Sequence, residues 1–179
     1  MIKRILLVAI AVFSFSAANA QKGVKVIQVG ARFAIPTEKL NSIANPGVGG
    51  SVKGIYGIGN ASSPHQVTLE AGYNRFGIKD LPSGASGAYS AIPIYTGYRY
   101  SFGKVVIDTQ AGISINRLAG ESAEGVKASG NETNFGWAVG VGYLINQVEL
   151  GVKYHSSHVK DDVYEIKFFG LRAAYNFNL

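Results

Sequence analysis

The chain contains no cysteine, which excludes disulfides, thiolate metal sites and an N-terminal lipid-anchored cysteine. Charged residues are scarce at 16%, against roughly 25% in ordinary soluble domains. Beyond the N-terminus, the chain also lacks an apolar run long enough for a membrane-spanning helix. Its 179 residues suffice for one domain. If this domain meets lipid, it must do so through strands rather than helices.

The first twenty residues have the three parts of a secretory signal peptide. Lys3 and Arg4 form the charged region, residues 5–15 are apolar, and Ala18-Asn19-Ala20 fits the cleavage rule. We therefore predict a signal peptide over 1–20 and a mature domain over 21–179. Cleavage lowers the net charge from +6 to +4, because Lys3 and Arg4 leave with the peptide. The remaining positive charge is scattered, which argues against a nucleic-acid partner.

Eight segments of the mature chain alternate apolar and polar residues with a period of two, the pattern of half-buried strands. They lie near 24–35, 48–58, 66–76, 89–102, 105–117, 133–144, 147–155 and 165–178. Short turns at 59–64, Gly103-Lys104 and Ile145-Asn146 alternate with longer polar loops at 36–46, 77–88, 118–132 and 156–164. This asymmetry predicts an all-β fold, a single eight-stranded antiparallel up-and-down transmembrane β-barrel, with both termini in the periplasm.

The two faces of these strands differ in polarity. One parity is apolar, and no charge occupies its middle, which agrees with the roughly 2–4 kcal/mol that a basic residue costs at the membrane midplane. The other parity combines charged residues with many glycines, which suits an interior wide enough only for side chains. We predict an interior ion network made of Arg32, Lys53, Glu70, Arg99, Asp108, Glu149, Lys153 and Arg172.

The hairpin at Gly103-Lys104 allows the register to be predicted. A two-residue turn pairs Phe102 with Val105 and places Arg99 opposite Asp108 on the polar parity. The same counting makes Lys53 and Glu70 diagonal neighbours.

Aromatic residues concentrate at strand ends, with aliphatic residues between them. A soluble lipocalin-like barrel also alternates, with its apolar face inside, but it has no need for two aromatic rings or a glycine-rich polar face. Two girdles are typical of membrane interfaces. The predicted girdle residues are Tyr56, Tyr98, Tyr100, Tyr143, Tyr175 and Phe177 near the periplasmic rim, and Phe33, Tyr73, Phe135, Trp137 and Tyr154 near the outer rim.

Two segments resemble a known family. The segment 89–100 (YSAIPIYTGYRY) is similar to a recurring strand of the porin-like outer-membrane β-barrel proteins common in Bacteroidetes. The segment 170–179 (GLRAAYNFNL) is similar to their closing strand, which serves as the recognition signal for the barrel-assembly machinery. The resemblance implies a small barrel of the OmpA/OmpX type in the outer membrane of a Gram-negative bacterium, and it names no biochemical activity.

A second, shorter resemblance concerns chemistry. His155 and Ser157 form an H-x-S motif similar to the catalytic strand of outer-membrane lipid A deacylases, whose serine nucleophile is paired with a histidine base. Glu165 would be the acid in that scheme. His155 and Ser157 share the inward parity, however, whereas a lipid-acting site should open towards lipid. His155 and His158 are too few for a metal site, because only His65 remains elsewhere. No metal or other cofactor is predicted.

These observations predict a non-enzymatic barrel that integrates in and stabilises the outer membrane, with surface loops available for contacts. Its predicted partners are outer-membrane lipid and lipopolysaccharide, and the assembly machinery during biogenesis, and we expect a monomer. Eight strands leave no aqueous pore. A lipid A hydrolase using His155 and Ser157 is the first alternative. Adhesion or ligand binding by the loops, chiefly 118–132, is the second.

Overall fold

The computed structural model describes residues 24–59, 63–158 and 165–179. The predicted signal peptide at 1–20 lies outside these residues, and so do parts of the predicted turn at 59–64 and of the predicted loop at 156–164.

Eight antiparallel strands form a closed barrel in which each strand pairs with its sequence neighbours and the last strand pairs with the first. This arrangement confirms the predicted fold class. The strands are β1 (Lys25–Thr37), β2 (Gly47–Gly57), β3 (His65–Gly77), β4 (Ser86–Phe102), β5 (Val105–Glu121), β6 (Lys127–Ile145), β7 (Val148–His158) and β8 (Glu165–Asn178). A short helix, α1 (Glu38–Ile43), follows β1. In the described part of the chain, no helix has the length and apolar character needed to cross a membrane.

The connections alternate in length, so the barrel has a turn end and a loop end. The turn end carries the β2–β3, β4–β5 and β6–β7 connections, and the loop end carries the other four. The β6–β7 turn is Asn146-Gln147 rather than the predicted Ile145-Asn146, because Ile145 still pairs with Val148. Asn146 takes a positive φ of 55°, a conformation that asparagine tolerates and a β-branched isoleucine does not.

The register confirms two of the three predicted pairings. Phe102 lies opposite Val105, and Arg99 lies opposite Asp108. Lys53 and Glu70 are direct partners rather than diagonal neighbours, so that prediction is wrong. The reason is the position of the turn: the Ile58 amide donates to the His65 carbonyl at 2.8 Å, and counting five residues along each strand from that pair brings Lys53 opposite Glu70.

The predicted loop at 118–132 is also wrong in most of its length. β5 and β6 stay paired out to Glu121 and Lys127, leaving 122–126 as the loop. Alternation gives no sign of this extension because residues 119–132 are mostly small or polar at both parities. Backbone hydrogen bonds alone are sufficient to continue the ladder. The β5–β6 hairpin therefore extends the barrel wall at the loop end together with β4, whose Ser86 lies opposite Glu121.

The two faces lie as the alternation predicts. Ile107 and Val139 are 48% and 41% exposed on the outer wall, whereas Arg99, Asp108 and Glu149 are at most 4% exposed inside. This is the arrangement required for contact with hydrocarbon, since only the outer wall of a small barrel can meet lipid.

An apolar cluster fills the interior at the loop end, where α1 folds across the mouth. Leu40 of α1 is completely buried, and Phe76 packs edge-on against Phe168 with ring centroids 5.3 Å apart. Backbone hydrogen bonds hold the end of α1 against the β3–β4 loop, including Lys79 N–H to Ile43 O at 2.9 Å. We call this cluster the mouth plug; it consists of Ala34, Leu40, Ala44, Phe76, Tyr89, Ala91 and Phe168.

Candidate functional site

The middle of the interior is occupied by charged side chains centred on Glu70. Its carboxylate is 2.9 Å from the Arg32 guanidinium, 3.3 Å from Lys53 Nζ and 2.7 Å from Lys153 Nζ. Three cations from β1, β2 and β7 therefore share one carboxylate from β3. Such sharing is favourable only where hydrogen bonds replace the water that the charges have lost.

Two further carboxylates continue the chain of ion pairs towards the turn end. Lys53 Nζ also reaches Asp108 at 3.0 Å, and the Arg99 guanidinium lies 3.4 Å from Asp108 and 2.7 Å from Glu149. Glu149 in turn binds Arg172 at 3.0 Å. All eight predicted charges thus belong to one connected set, the interior ion network, which links seven of the eight strands.

β6 contributes glycine instead of charge to the inner wall. Gly136, Gly140 and Gly142 lie where side chains of other strands pass over β6. A Cβ at Gly136 would collide with the Tyr95 hydroxyl, and one at Gly140 would stand 3.2 Å from Lys153 Cγ. The glycine-rich polar parity therefore provides the space that the long charged side chains occupy.

Neutral amides complete the network, and they are not among the predicted interior residues. Gln28 Nε2 donates to Glu149 at 2.9 Å, and Arg172 donates to the Gln28 carbonyl. Gln110 Nε2 donates to Glu70 at 3.2 Å and its Oε1 accepts from Lys153 at 2.9 Å. Both amides share the inward parity of the charges, so the same alternation marks them as interior residues.

Little space remains within the network. The cavity among Asp108, Glu149, Lys153 and Arg172 measures about 10 Å³, roughly the space for one water molecule. Side chains consequently fill the lumen at this level, and the mouth plug fills it at the loop end.

The three candidate catalytic residues are not assembled into a relay. His155 is buried and stacks on Phe168, with ring centroids 4.6 Å apart. Within the described residues, neither ring nitrogen of His155 has a hydrogen-bond partner. Ser157 Oγ instead accepts a hydrogen bond from Asn116 Nδ2 at 2.8 Å.

Glu165 lies on the other side of the barrel wall from that pair. Its carboxylate accepts from Ser156 Oγ at 3.4 Å and pairs with Lys167 Nζ at 3.0 Å, both on the outward parity. A triad needs the acid to hold the histidine and the histidine to hold the serine. Here each of the three residues has a different environment, and the wall separates the acid from the other two.

The predicted girdle residues lie on the outer wall near the two ends. At the turn end, Tyr175 and Phe177 are in contact at 4.8 Å. At the loop end, Tyr154 lies 5.6 Å from Trp137 and 5.0 Å from Phe169, which is outside the predicted set. The exposed members are Phe33, Tyr73, Tyr98, Phe135, Trp137, Tyr143, Tyr175 and Phe177, while Tyr56, Tyr100 and Tyr154 are half-buried.

Solved structures with the same architecture come from bacterial outer membranes. The attachment invasion locus protein Ail of Yersinia pestis, solved with the heparin analogue sucrose octasulfate, is 18% identical with a TM-score of 0.66, covering 87% of this chain and 99% of Ail. Neisserial surface protein A is 18% identical with a TM-score of 0.58, covering 87% of this chain and 97% of that chain.

A third likeness is the N-terminal β-barrel domain of OprF from Pseudomonas aeruginosa, at 12% identity and a TM-score of 0.57, covering 87% of this chain and all of that one (100%). At these identities the likeness extends to the fold alone. No curated protein sequence matches the chain.

The family model "Outer membrane protein beta-barrel domain" matches residues 5–177 and so spans nearly the whole chain. Together with the closed barrel and its apolar outer wall, this match establishes that the chain belongs to the outer membrane protein β-barrel family and is an integral protein of the outer membrane.

Proposed function

We propose that this protein is a sealed, non-catalytic barrel that stabilises the outer membrane and presents its loop end to the outside. The observation that carries the proposal is the interior ion network, which ties seven strands together with almost completely buried side chains, and the cavity beside Asp108, Glu149, Lys153 and Arg172 measures about 10 Å³. A pore needs a continuous water path, and the interior of an eight-stranded barrel is normally filled by side chains. The mouth plug adds a second, apolar barrier above the network.

The absence of catalysis is part of the proposal. A deacylase requires a serine activated by a histidine that is itself oriented by an acid. Ser157 is held by Asn116, His155 stacks on Phe168, and Glu165 lies beyond the wall. This arrangement supports structural roles for the three residues.

The proposed partners follow from the outer surface. The apolar belt contacts outer-membrane lipid, the loop end contacts lipopolysaccharide, and β8 is the segment offered to the barrel-assembly machinery. A closed barrel has no free edge at which a second copy would add a strand, which supports a monomer.

The seal is tested by solute retention in liposomes. We expect liposomes that contain the protein to retain an entrapped glucose-sized solute as well as protein-free liposomes do. We expect the same retention with a variant in which a Gly-Ser linker replaces 38–43. The second result is expected because the network still fills the lumen after α1 is removed. A sixteen-stranded porin is the positive control. Efflux through the unmodified protein would contradict the proposal.

Ligand binding by the loops is a second candidate, favoured by a cleft beside the β5–β6 hairpin. The cleft has a volume of about 860 Å³, and Ile78, Leu81, Leu118 and Val126 give it an apolar lining. Exposed apolar surface above the membrane is typical of contact sites.

This candidate is tested by shortening the hairpin. Replacing 118–130 with Asn-Gly joins Arg117 to Asn131, which are already partners across the ladder. We expect the shortened protein to fold. We expect cells that display it to lose their adhesion to a protein-coated surface, because the cleft has been removed. The matched control replaces only 123–124 with Gly-Gly. Equal adhesion of shortened and unmodified protein would remove this candidate.

A further inference from the structure

Two arginines lie side by side on the outer wall, just below the point where the β5–β6 hairpin leaves the membrane. Arg75 of β3 pairs with Ser90 of β4, and Ser90 pairs with Arg117 of β5. All three have the outward parity, and both arginines are exposed. Adjacent strands lie about 4.8 Å apart, so the two arginine backbones are roughly 10 Å apart and their side chains can converge on one small group.

The height of this row corresponds to the level of lipid head groups. Tyr73 and Ile115, each two residues earlier towards the turn end on the outward face, belong to the aromatic and apolar belt. The Tyr73 hydroxyl is 3.1 Å from Ser90 Oγ, so the phenol points up towards the arginine row from the belt. A tyrosine with its ring in the belt and its hydroxyl at the polar level marks the membrane interface.

The two arginines differ from Lys167 and Lys127, two further basic residues of the loop end, in lacking an acidic partner within the described residues. Lys167 on the opposite wall is neutralised by Glu38 and Glu165, each at 3.0 Å. Within 24–59, 63–158 and 165–179, no carboxylate lies within 4.0 Å of Arg75 or Arg117. The nearby Glu121 is paired with Lys127 at 3.7 Å. The local charge therefore remains positive.

A cleft provides room for a ligand beside the arginines. Arg75, Arg117 and Lys127 line it together with Tyr73 and Ser90, and its volume is about 640 Å³. This volume accommodates a phosphorylated sugar, and the guanidinium groups offer the paired donors that suit phosphate oxygens.

We propose that Arg75, Arg117 and Ser90, with Tyr73 below them, form a binding site for the phosphorylated sugar head group of a lipid A-type glycolipid in the outer leaflet. The proposal rests on the proposed function in one respect, that the loop end faces outward. The acyl chains of the bound lipid lie along the apolar belt under Tyr73, while the phosphate is held by the two guanidinium groups. Through these residues the barrel contacts the lipid that surrounds it.

The test compares lipid binding by the folded protein and by Arg75→Gln/Arg117→Gln. Protein in detergent is titrated with diphosphorylated lipid A, and bound lipid is counted by native mass spectrometry. We expect the double variant to bind about 30-fold more weakly, since each basic residue near an anionic lipid contributes about one kcal/mol. Lys25→Gln/Lys104→Gln at the turn end is the matched control with the same change in charge, and we expect it to bind as the unmodified protein does.

Two further arms identify the ligand. In the first, lipid A without phosphates is titrated into the unmodified protein, and we expect it to bind as weakly as diphosphorylated lipid A binds to the double variant. In the second, millimolar inorganic phosphate is added to the complex, and we expect no displacement of lipid A, because the head group and the acyl chains are recognised together. Displacement by inorganic phosphate, or equal binding by the double variant, would overturn the site. Heat-modifiable migration on gels shows that each variant is folded, so failure here is distinguishable from failure of the sealed barrel.

Discussion

Glu70→Gln lowers the free energy of unfolding by about 3–5 kcal/mol, because it leaves three buried cations without their shared carboxylate. The side chain keeps its shape, so the loss comes from charge rather than from a cavity. Arg32 keeps its bond to Asn74, at 3.2 Å, and Lys153 keeps its bond to Gln110, at 2.9 Å, but neither partner carries a charge. Urea unfolding in detergent micelles, followed by the change in gel migration, measures the effect.

The control for this prediction is Glu121→Gln, which removes an exposed pair with Lys127 and costs at most about 1 kcal/mol. A second variant, Glu70→Gln/Lys153→Met, removes one of the stranded cations together with the carboxylate. We expect it to be more stable than Glu70→Gln alone, because the two changes are coupled through one ion pair. Equal stability of Glu70→Gln and Glu121→Gln would show that the network does not hold the strands together.

Val141→Arg destabilises the membrane-inserted barrel by about 2–4 kcal/mol, since it places a guanidinium on the outer wall in the middle of the apolar belt. Val141 is 53% exposed on the outer wall and lies between the girdle residues Trp137 and Tyr143 of β6. The protein is refolded into phospholipid bilayers, and its unfolding free energy is compared with that of the unmodified chain.

The matched substitution is Thr133→Arg, on the same strand and the same face but beyond Phe135 at the loop end. At the interface the cost of arginine falls to about 0–1 kcal/mol. The contrast between the two positions therefore reports depth in the membrane rather than tolerance of β6 to a larger side chain. Equal effects at both positions would contradict the membrane placement of the belt.

Alternation of side chains was enough to predict the faces of the strands. Because side chains alternate between the two faces of a strand, assigning one residue to the inner or outer face assigns all the other residues of that strand. This is why Arg99 and Asp108 were placed inside and Ile107 and Val139 outside, and why a two-residue turn fixed the pairing of Arg99 with Asp108.

The partners across the lumen could not be predicted in the same way. Arg99 on β4 meets Glu149 on β7, which depends on barrel closure and strand stagger rather than on any hairpin. Likewise, Arg32 and Arg172 are direct neighbours across the β1–β8 seam, a pairing of like charges. The structure resolves it by directing Arg32 to Glu70 and Arg172 to Glu149.

The segments outside the membrane were the least predictable. α1 has six residues and no helical period of its own, and it is held by burial of Leu40 and by an ion pair between Glu38 and Lys167. Short helices of this kind owe their stability to tertiary packing. Sequence alone therefore could not distinguish α1 from an extended loop.

The mouth plug combines residues from the two ends of the barrel sequence. Leu40 lies in the first connection of the chain, yet the ring of Phe168 that closes over the same cluster belongs to the last strand. The cluster is complete only when Phe168 of β8 is in place, so the full mouth plug and the closed β1–β8 seam depend on the same strand.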